Sequence, residues 1–292
     1  MKTRTAQKLF PIIAIASIII IMLACSIVPA SPPPGTPTQA IQATDTDEPT
    51  REPDATATSR IIMPTLSVQD QIQSSNILLY EDSGRLSPWI KQTLDRMGLS
   101  YTNIGDKVGD FMTELLSGKK WDLIIVGAES KSAVQGDFWD IIVPQVLDKN
   151  TALIAEVWYL DRTVNGKVKN LLTSCGVEYQ QDYRLAQSIY ILQPDHPIFN
   201  DPNPGLSLIT YSRYWKSKAG DVIRLIPGSN SATLLAGEYH DRESDYGLMA
   251  ACLDGRVVLQ TFSNHDYHED TIKALWENYI TYVLKNHYKT EH

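Results

Sequence analysis

The segment Asp122–Val126, DLIIV, decides the fold class: four consecutive aliphatic residues follow an acid, and Gly127 ends the run. A continuous branched-aliphatic run is typical of a central parallel strand that is buried on both faces. Asn76–Tyr80 (NILLY) and Thr151–Ala155 (TALIA) have a similar character. The sequence therefore predicts that these three segments are strands of one sheet.

Segments with helical spacing separate these strands. Ile90, Leu94 and Met97 share one helical face after the first strand. Ser87 is predicted as the N-cap of this helix, and Gly98 as its end. The same spacing predicts helices at 108–116, 138–144 and 168–175. Strands that alternate with helices indicate a βαβ sheet.

The alternation of strands and helices stops in the C-terminal third. Strand-like runs follow one another without long helices between them, at Ser188–Leu192, Leu206–Thr210, Val222–Leu225 and Ala232–Gly237. Leu248–Phe262 is predicted to be a hairpin with Asp254-Gly255 in a two-residue turn. A helix with a wide apolar stripe, Ile272–Leu284, follows. The predicted fold class is α/β, with a mostly parallel sheet, helices on both faces and a partly antiparallel C-terminal extension.

The first 25 residues have the layout of a secretion signal. Three cationic residues precede an apolar stretch, Leu9–Ala24, which is shorter than the about 20 residues of a spanning helix. Met22-Leu23-Ala24-Cys25 resembles the lipobox of bacterial lipoproteins, although Met stands where Leu is usual. This resemblance implies that residues 1–24 are a signal peptide and that Cys25 receives a diacylglyceryl group.

A lipidated Cys25 places the protein on a bacterial cell membrane, facing outside the cytoplasm. Acyl chains such as palmitate hold a protein stably when two are present and only marginally when there is one. The membrane, reached through this anchor, is therefore the first expected partner. Two alternatives stay open: an uncleaved membrane span, and a secretory signal cleaved at Ala30 with Cys25 lost.

Residues 25–75 are predicted to be the lipidated cysteine followed by a disordered tether. Ser31–Ser59 is rich in Pro, Thr, Ala and acids and offers almost nothing large and apolar to bury. Such a segment does not offset the entropy lost on ordering. Ile61–Val68 is apolar again, and residues 76–288 are the predicted folded domain.

Several segments of residues 76–288 resemble the class I glutamine amidotransferase-like superfamily, which has a flavodoxin-like sheet. They are WDLIIVGAES, the helix end LLTSCGVEY, DHPIF, and VVLQTFSNHDY before the terminal helix. The resemblance covers nearly all of the predicted domain. It implies a nucleophilic cysteine on a tight elbow after the fourth strand and a histidine from the end of the last strand.

The chain departs from this pattern at the elbow. Glu156-Val157-Trp158 occupies that place, and neither Gly-x-Cys-x-Gly nor Gly-x-Ser-x-Gly is present. An elbow needs small residues because the backbone turns sharply there. The amidotransferase reaction is therefore not expected. His265 falls where the histidine of the superfamily would lie, and it is interpreted as a relic, a ligand contact or a surface residue.

A ligand site is still expected where the parallel strands end, since ligands of open α/β sheets bind at that edge. The candidate residues there are Glu81, Asp82, Gly127, Glu129, Glu156, Trp158 and His265. Several acids with a Trp and a His suit a polyol, a sugar or a cationic ligand. The alternative is structural: backbone amides satisfy Glu156, and Trp158 covers the sheet edge.

Other groups of residues give weaker indications of a functional site. His265 and His268 lie three residues apart, but no third ligand stands at a diagnostic spacing, so neither a metal nor another cofactor is predicted. Gly228–Ser231 is interpreted as a turn rather than a nucleophile. Cys175 and Cys252 are predicted to be two separate buried thiols, since free cysteine usually behaves as a small apolar residue.

Three functional classes follow from the sequence. The first is a noncatalytic, surface-tethered domain that binds a small polar ligand or an envelope protein. The second is a hydrolase with a nonstandard acid and base, Glu156 and His265. The third is an accessory lipoprotein that docks a transporter or an envelope complex. A formal net charge of −8 argues against a nucleic acid partner, because phosphate binding needs clustered Lys and Arg.

Overall fold

The structure is a computed structural model, and it describes residues 66–130, 136–163, 165–183, 188–211 and 220–290. The predicted signal peptide, the lipobox with Cys25 and most of the predicted tether lie outside these ranges. Within them, no helix is both long enough and apolar enough to cross a membrane.

The described residues form eleven strands and seven α-helices. The strands are β1 (Ile77–Asp82), β2 (Tyr101–Gly105), β3 (Leu123–Ala128), β4 (Ala152–Val157), β5 (Val177–Tyr183), β6 (Ser188–Ile191), β7 (Leu208–Ile209), β8 (Gly220–Leu225), β9 (Ala232–Gly237), β10 (Gly247–Cys252) and β11 (Val257–Gln260). The helices are α1 (Val68–Gln73), α2 (Trp89–Arg96), α3 (Val108–Leu116), α4 (Trp139–Asp148), α5 (Leu160–Thr163), α6 (Val168–Cys175) and α7 (Glu269–Thr290).

The strands belong to one sheet in the order β2-β1-β3-β4-β11-β10-β9-β6-β7, and outside this path β8 pairs with both β10 and β5. Neighbours from β2 to β11 run parallel. The remaining pairs are antiparallel. Counting β11 as a fifth strand, the parallel part has the flavodoxin-like order 2-1-3-4-5. The predicted α/β class with a partly antiparallel extension is confirmed.

Helices cover both faces of the parallel part. Helices α2 and α7 pack on one face, and α3, α4 and α6 pack on the other. Strands β1, β3 and β4 are buried at every position. Burial on both faces explains why these strands were recognisable as continuous apolar runs.

Some elements differ from the prediction. Helix α1 lies within the last part of the predicted tether, so the folded part begins before Asn76. Strand β5 was not predicted, because VEYQQDY is mostly polar and only half buried. Strand β4 continues beyond Ala155 and includes Glu156. The hairpin turn at Asp254-Gly255 is confirmed, with the amide of Arg256 donating to the carbonyl of Leu253 at 3.1 Å.

The prediction of two separate thiols is wrong: Cys175 and Cys252 form a disulfide. Their Cα atoms lie 5.1 Å apart, within the range that a disulfide can bridge. Cys175 ends α6 and Cys252 ends β10, and both side chains belong to the core on the α3, α4 and α6 face. The two cysteines are 77 positions apart in the sequence. Their proximity could not be predicted, because it depends on how α6 docks on the sheet.

Candidate functional site

The carboxyl ends of β1, β3, β4 and β11 form one edge of the sheet. The register pairs Glu81 with Gly127, Gly127 with Glu156, and Glu156 with Gln260. Residues paired across parallel strands point to the same face, so these four residues form a row on the α2 and α7 side. The fold therefore brings Glu81 and Glu156 together on either side of a glycine.

Gly127 permits this row to pack closely. A Cβ atom built on Gly127 lies 2.6 Å from Cδ1 of Ile90 in α2, 3.6 Å from Oε2 of Glu156 and 3.7 Å from Cγ of Glu81. A side chain at this position would push Ile90 out of its place in the core. The absence of a side chain at Gly127 is what allows Ile90 of α2 to pack against the sheet at this point.

Glu81 caps the N-terminus of α2. Its carboxylate accepts from the backbone amides of Ile90 and Lys91, at 2.8 and 2.9 Å. The predicted N-cap, Ser87, is wrong: Pro88 is the N-cap and makes no side-chain bond there. A carboxylate from a neighbouring strand therefore satisfies the free amides at the helix end. Burial raises the pKa of Glu81 to about 7, and the two amide hydrogen bonds oppose this rise.

Glu156 is held by Asn264, just after β11. Its carboxylate accepts from the Asn264 side-chain amide at 2.6 Å and from the Asn264 backbone amide at 3.3 Å. The side-chain oxygen of Asn264 in turn accepts from Gln260 at 2.9 Å and from the indole of Trp276 at 3.0 Å. Burial, followed by the charge of Glu129, raises the pKa of Glu156 well above its usual value.

Glu129 holds His265. Nδ1 of His265 lies 2.5 Å from the Glu129 carboxylate, which also accepts from the His265 backbone amide at 3.1 Å and from the hydroxyl of Ser263. The imidazole stacks on the ring of Trp89, with 4.0 Å between centroids. His265 is only 8% exposed, so its interpretation as a surface residue is wrong. Burial lowers the pKa of His265, but the hydrogen bond with Glu129 raises it above its usual value.

The second nitrogen of His265 faces a carbonyl. Nε2 lies 3.0 Å from the backbone oxygen of Ser87. A carbonyl oxygen only accepts, so Nε2 must carry the proton of this hydrogen bond. A general base needs a lone pair on the nitrogen that faces the substrate. In this arrangement His265 therefore acts as a donor that ties β11, β3 and the entry to α2 together.

Asp82 and Trp158 lie near the same edge and are also buried. One oxygen of Asp82 accepts from the hydroxyl of Ser130 at 2.5 Å and from the amide of Gly84 at 3.2 Å. The indole of Trp158 stacks on the ring of Tyr159 with 4.8 Å between centroids. The seven residues predicted from the sequence are thus gathered at one end of the sheet, and all are shielded from solvent.

Sequence reasoning missed the residues that engage these side chains. They are the carbonyl of Ser87, the ring of Trp89, and Gln260, Ser263, Asn264 and Trp276. Ser263 and Asn264 lie shortly after the end of β11, so the rule that ligands bind at the ends of parallel strands would have included them. No sequence signal pairs Asn264 with Glu156, since the two are 108 residues apart.

His265 and His268, three residues apart in the sequence, have different neighbours in the structure. His265 lies in the short 3-10 helix Asn264–Asp266, whereas His268 precedes α7 and packs against Tyr211, with 4.0 Å between ring centroids. The described ranges contain no group of three or more His, Cys, Asp or Glu placed to hold a metal ion. Gly228–Ser231 lies in the connection between β8 and β9, as predicted for a turn.

Comparison with known proteins gives little beyond this topology. No protein-family model and no curated protein matches the chain. One similar solved structure, from Thermoplasma acidophilum, is described as that of a "putative GMP synthase" subunit, with 12% identity and a TM-score of 0.47. The match covers 75% of this chain and 98% of that one. A likeness this distant supports no statement about the chemistry of this chain. What the structure itself defines is a flavodoxin-like α/β domain whose strand ends are bonded internally.

Proposed function

We propose that this protein is a membrane-anchored extracytoplasmic lipoprotein whose amidotransferase-like domain binds a polar ligand or an envelope partner without catalysis. One observation carries the noncatalytic part. The carboxylates of Glu81, Glu129 and Glu156 are all bonded to the protein itself. Side chains used in this way hold the sheet edge together and leave little capacity to move protons for a substrate.

The missing nucleophile supports the same proposal. Glu156 lies inside β4, where the superfamily would place the turn that exposes a cysteine. Cys175 and Cys252, the cysteines of the described ranges, are joined in the disulfide and offer no thiolate. A disulfide sulfur does not attack a carbonyl, so the residues that the structure describes supply no cysteine thiolate for amidotransferase chemistry.

The extracytoplasmic location rests on two features. The lipobox resemblance at Cys25 implies export and lipidation, and disulfides such as Cys175–Cys252 persist mainly in oxidising compartments. Labelling cells with radioactive palmitate tests the anchor. We expect label in the wild-type protein and none in Cys25→Ser, and equal labelling of the two proteins would remove the anchor from the proposal.

Ligand binding is tested by thermal-shift screening of the full chain against sugars, polyols, amino acids and amines. A ligand that binds only the folded state at 100 times its Kd adds about 2.7 kcal/mol to the free energy of unfolding. We expect Glu156→Gln to abolish any stabilisation found. Glu178→Gln is the matched control, because Glu178 pairs with Arg224 at the exposed β5–β8 ladder. Stabilisation retained in Glu156→Gln would move the site elsewhere.

A hydrolase is the second candidate, and the short contact between Glu129 and His265 favours it. Catalysis would require Nε2 of His265 to leave the carbonyl of Ser87 and to give up its own proton to solvent. Only then could Nε2 take a proton from a nucleophile. A panel of ester and amide substrates tests this. Turnover that disappears in His265→Gln would establish the hydrolase, and no turnover above the buffer rate would leave the binding function.

A further inference from the structure

One acid at the strand ends keeps an oxygen without a hydrogen bond. Oδ1 of Asp82 accepts from the hydroxyl of Ser130 and the amide of Gly84. Oδ2 of Asp82 is buried and has no hydrogen-bond partner among the described residues. The three glutamates at this edge differ, because both oxygens of each accept hydrogen bonds. Asp82 is only 1% exposed, so this oxygen is enclosed rather than solvated.

A second buried oxygen without a partner lies two residues earlier in β1. The hydroxyl of Tyr80 has no hydrogen-bond partner among the described residues, and the whole residue is buried. The ring of Tyr80 packs against Phe111 and Phe138, with centroids 5.1 and 5.8 Å away, in the core on the α3, α4 and α6 face. Residues two apart in a strand point to the same side of the sheet. Asp82 therefore points to the α3 side as well.

The Tyr80 hydroxyl lies within the electric field of two acids. Burial raises the pKa of Tyr80, and the charges of Asp82 and Asp106 raise it further. Asp106 directly follows β2 and is exposed. Lys107 adjoins it in the sequence, but the ammonium group of Lys107 lies 3.8 Å from the carboxylate of Asp110. A buried acid, a phenol and a surface acid thus interact where β1 and β2 end.

This place is also the point where the strand order of the sheet reverses. Strand β1 lies between β2 and β3, and ligands of flavodoxin-like sheets bind at the β1/β3 switch point. The amides of Glu129 and Ser130, which follow β3, both donate to the carbonyl of Asp82 at 3.1 Å. Glu81, the neighbour on the other side of the sheet, is occupied in capping α2. Asp82 is the acid at this point that still has an oxygen to offer.

A carboxylate with an enclosed, unbonded oxygen calls for a positively charged donor, because buried charges in proteins are normally paired and hydrogen-bonded. Arg85 is the nearest cation in the sequence, but it is exposed and forms no ion pair with Asp82. Calcium takes six to eight oxygen ligands, and the described ranges contain no group of three or more His, Cys, Asp or Glu placed to hold a metal ion. An ammonium group has three N–H donors and needs fewer acceptors. The chemistry therefore favours an amine over a metal.

We propose that Asp82 and Tyr80 bind the ammonium group of a small amine ligand on the α3 side of the sheet edge. The ammonium group donates to Oδ2 of Asp82 and to the hydroxyl oxygen of Tyr80, and the charge of Asp106 adds to the attraction. This inference rests on the proposed ligand binding and deepens it, because it names the charged group of the ligand and the side chains that receive it.

Thermal shift and titration calorimetry of the full chain at neutral pH test the proposal. The probes are ethanolammonium, its neutral analogue ethylene glycol, and tetramethylammonium, all as solutions of equal ionic strength adjusted with sodium chloride. We expect ethanolammonium alone to stabilise wild type, and Asp82→Asn to bind it at least about tenfold more weakly, since the charge-assisted hydrogen bond is lost. Asparagine keeps an oxygen for Ser130 and Gly84. Asp110→Asn is the matched control, because it removes an exposed acid from the nearby helix α3.

Tyr80→Phe is the second variant, and it keeps the ring against Phe111 and Phe138 while removing the hydroxyl. We expect it to bind ethanolammonium at least about threefold more weakly, even if Asp82→Asn does not fold. Unfolding temperatures without ligand show which variants fold.

Three results would overturn the proposal. They are no stabilisation of wild type by ethanolammonium, equal binding by wild type and the folded variants, and equal stabilisation by tetramethylammonium, which carries the charge without N–H donors. A neutral sugar that binds wild type but not Glu156→Gln, without any amine binding, would also remove the ammonium site and leave the proposed ligand binding in place. Ethanolammonium binding that is lost in Asp82→Asn and retained in Glu156→Gln would support the ammonium site and remove Glu156 from the ligand.

Discussion

The parallel half of the sheet differs in burial from two of the strands in its antiparallel extension. In the parallel half, β1, β3 and β4 are buried throughout, and the charged residues at their ends bond to the protein. In the extension, β5 and β6 are only partly buried, and tyrosines face solvent. The difference teaches that a cluster of acids at strand ends is not in itself a reactive site, because amide, imidazole and hydroxyl donors of the protein can bind these carboxylates.

The Cys175–Cys252 disulfide joins the two regions, so removing it gives the largest expected effect. It links α6, which covers the parallel half, to β10 in the extension across 77 residues of chain. In the chain-entropy model, closing a loop of this length adds about 4.5 kcal/mol to the free energy of unfolding. We expect Cys175→Ala/Cys252→Ala to unfold at a much lower urea concentration than wild type.

Reduction provides the matched control for this prediction. Wild type in dithiothreitol should approach the midpoint of the double variant, whereas the double variant should not respond to the reductant. Identical midpoints for oxidised wild type and the double variant would show that the docking of α6 does not depend on the bridge.

The second prediction concerns one buried acid from each region. The pKa values of Glu81, at the end of β1, and Asp221, in β8, are each raised to about 7, in both cases chiefly by burial. A folded state with a raised carboxyl pKa binds the proton more tightly than the unfolded chain. Stability from Glu81 is therefore fully present below its ordinary pKa of 4.5 and is lost as the pH rises to about 7, by about 3 kcal/mol.

Urea unfolding between pH 4.5 and pH 8 measures this loss. We expect Glu81→Gln and Asp221→Asn each to flatten part of the decline, and the double variant to flatten more of it than either. A Glu81→Gln profile parallel to that of wild type would mean that the Glu81 carboxylate titrates alike in both states. Asp221 accepts from the first amide of α5, and Glu81 accepts from the second and third amides of α2. The two acids therefore test carboxylate capping of a helix in different regions.

The sequence predicts the parallel half better than the extension for a physical reason. Segments buried on both faces, such as Leu123–Val126, must be continuously apolar, and a continuous apolar run can be recognised from the sequence alone. Strand β5 was not predicted because its sequence is mostly polar. Polar residues are tolerated there, since β5 is only partly buried where it pairs with β8. The rule that ligands bind at the carboxyl ends of parallel strands predicts that Glu81, Glu156 and His265 lie at one edge of the sheet. Which partner each of them takes depends on the loop after β11 and on α2, and no spacing in the sequence encodes these contacts.

The smallest expected effect tests how tightly that edge is packed. Gly127→Ala adds a Cβ atom that would lie 2.6 Å from Cδ1 of Ile90, between Glu81 and Glu156. Ile90 must rotate or α2 must move, and inserting one carbon into a filled core typically costs about 1–3 kcal/mol. Gly109→Ala in α3 is the matched control, because a Cβ there meets nothing within 4 Å and alanine favours a helix over glycine by about 0.5–1 kcal/mol. Urea midpoints should therefore move in opposite directions for the two variants. A Gly127→Ala midpoint equal to or above that of wild type would show that α2 yields at this edge, and the carboxylates would then be less confined than their hydrogen bonds indicate.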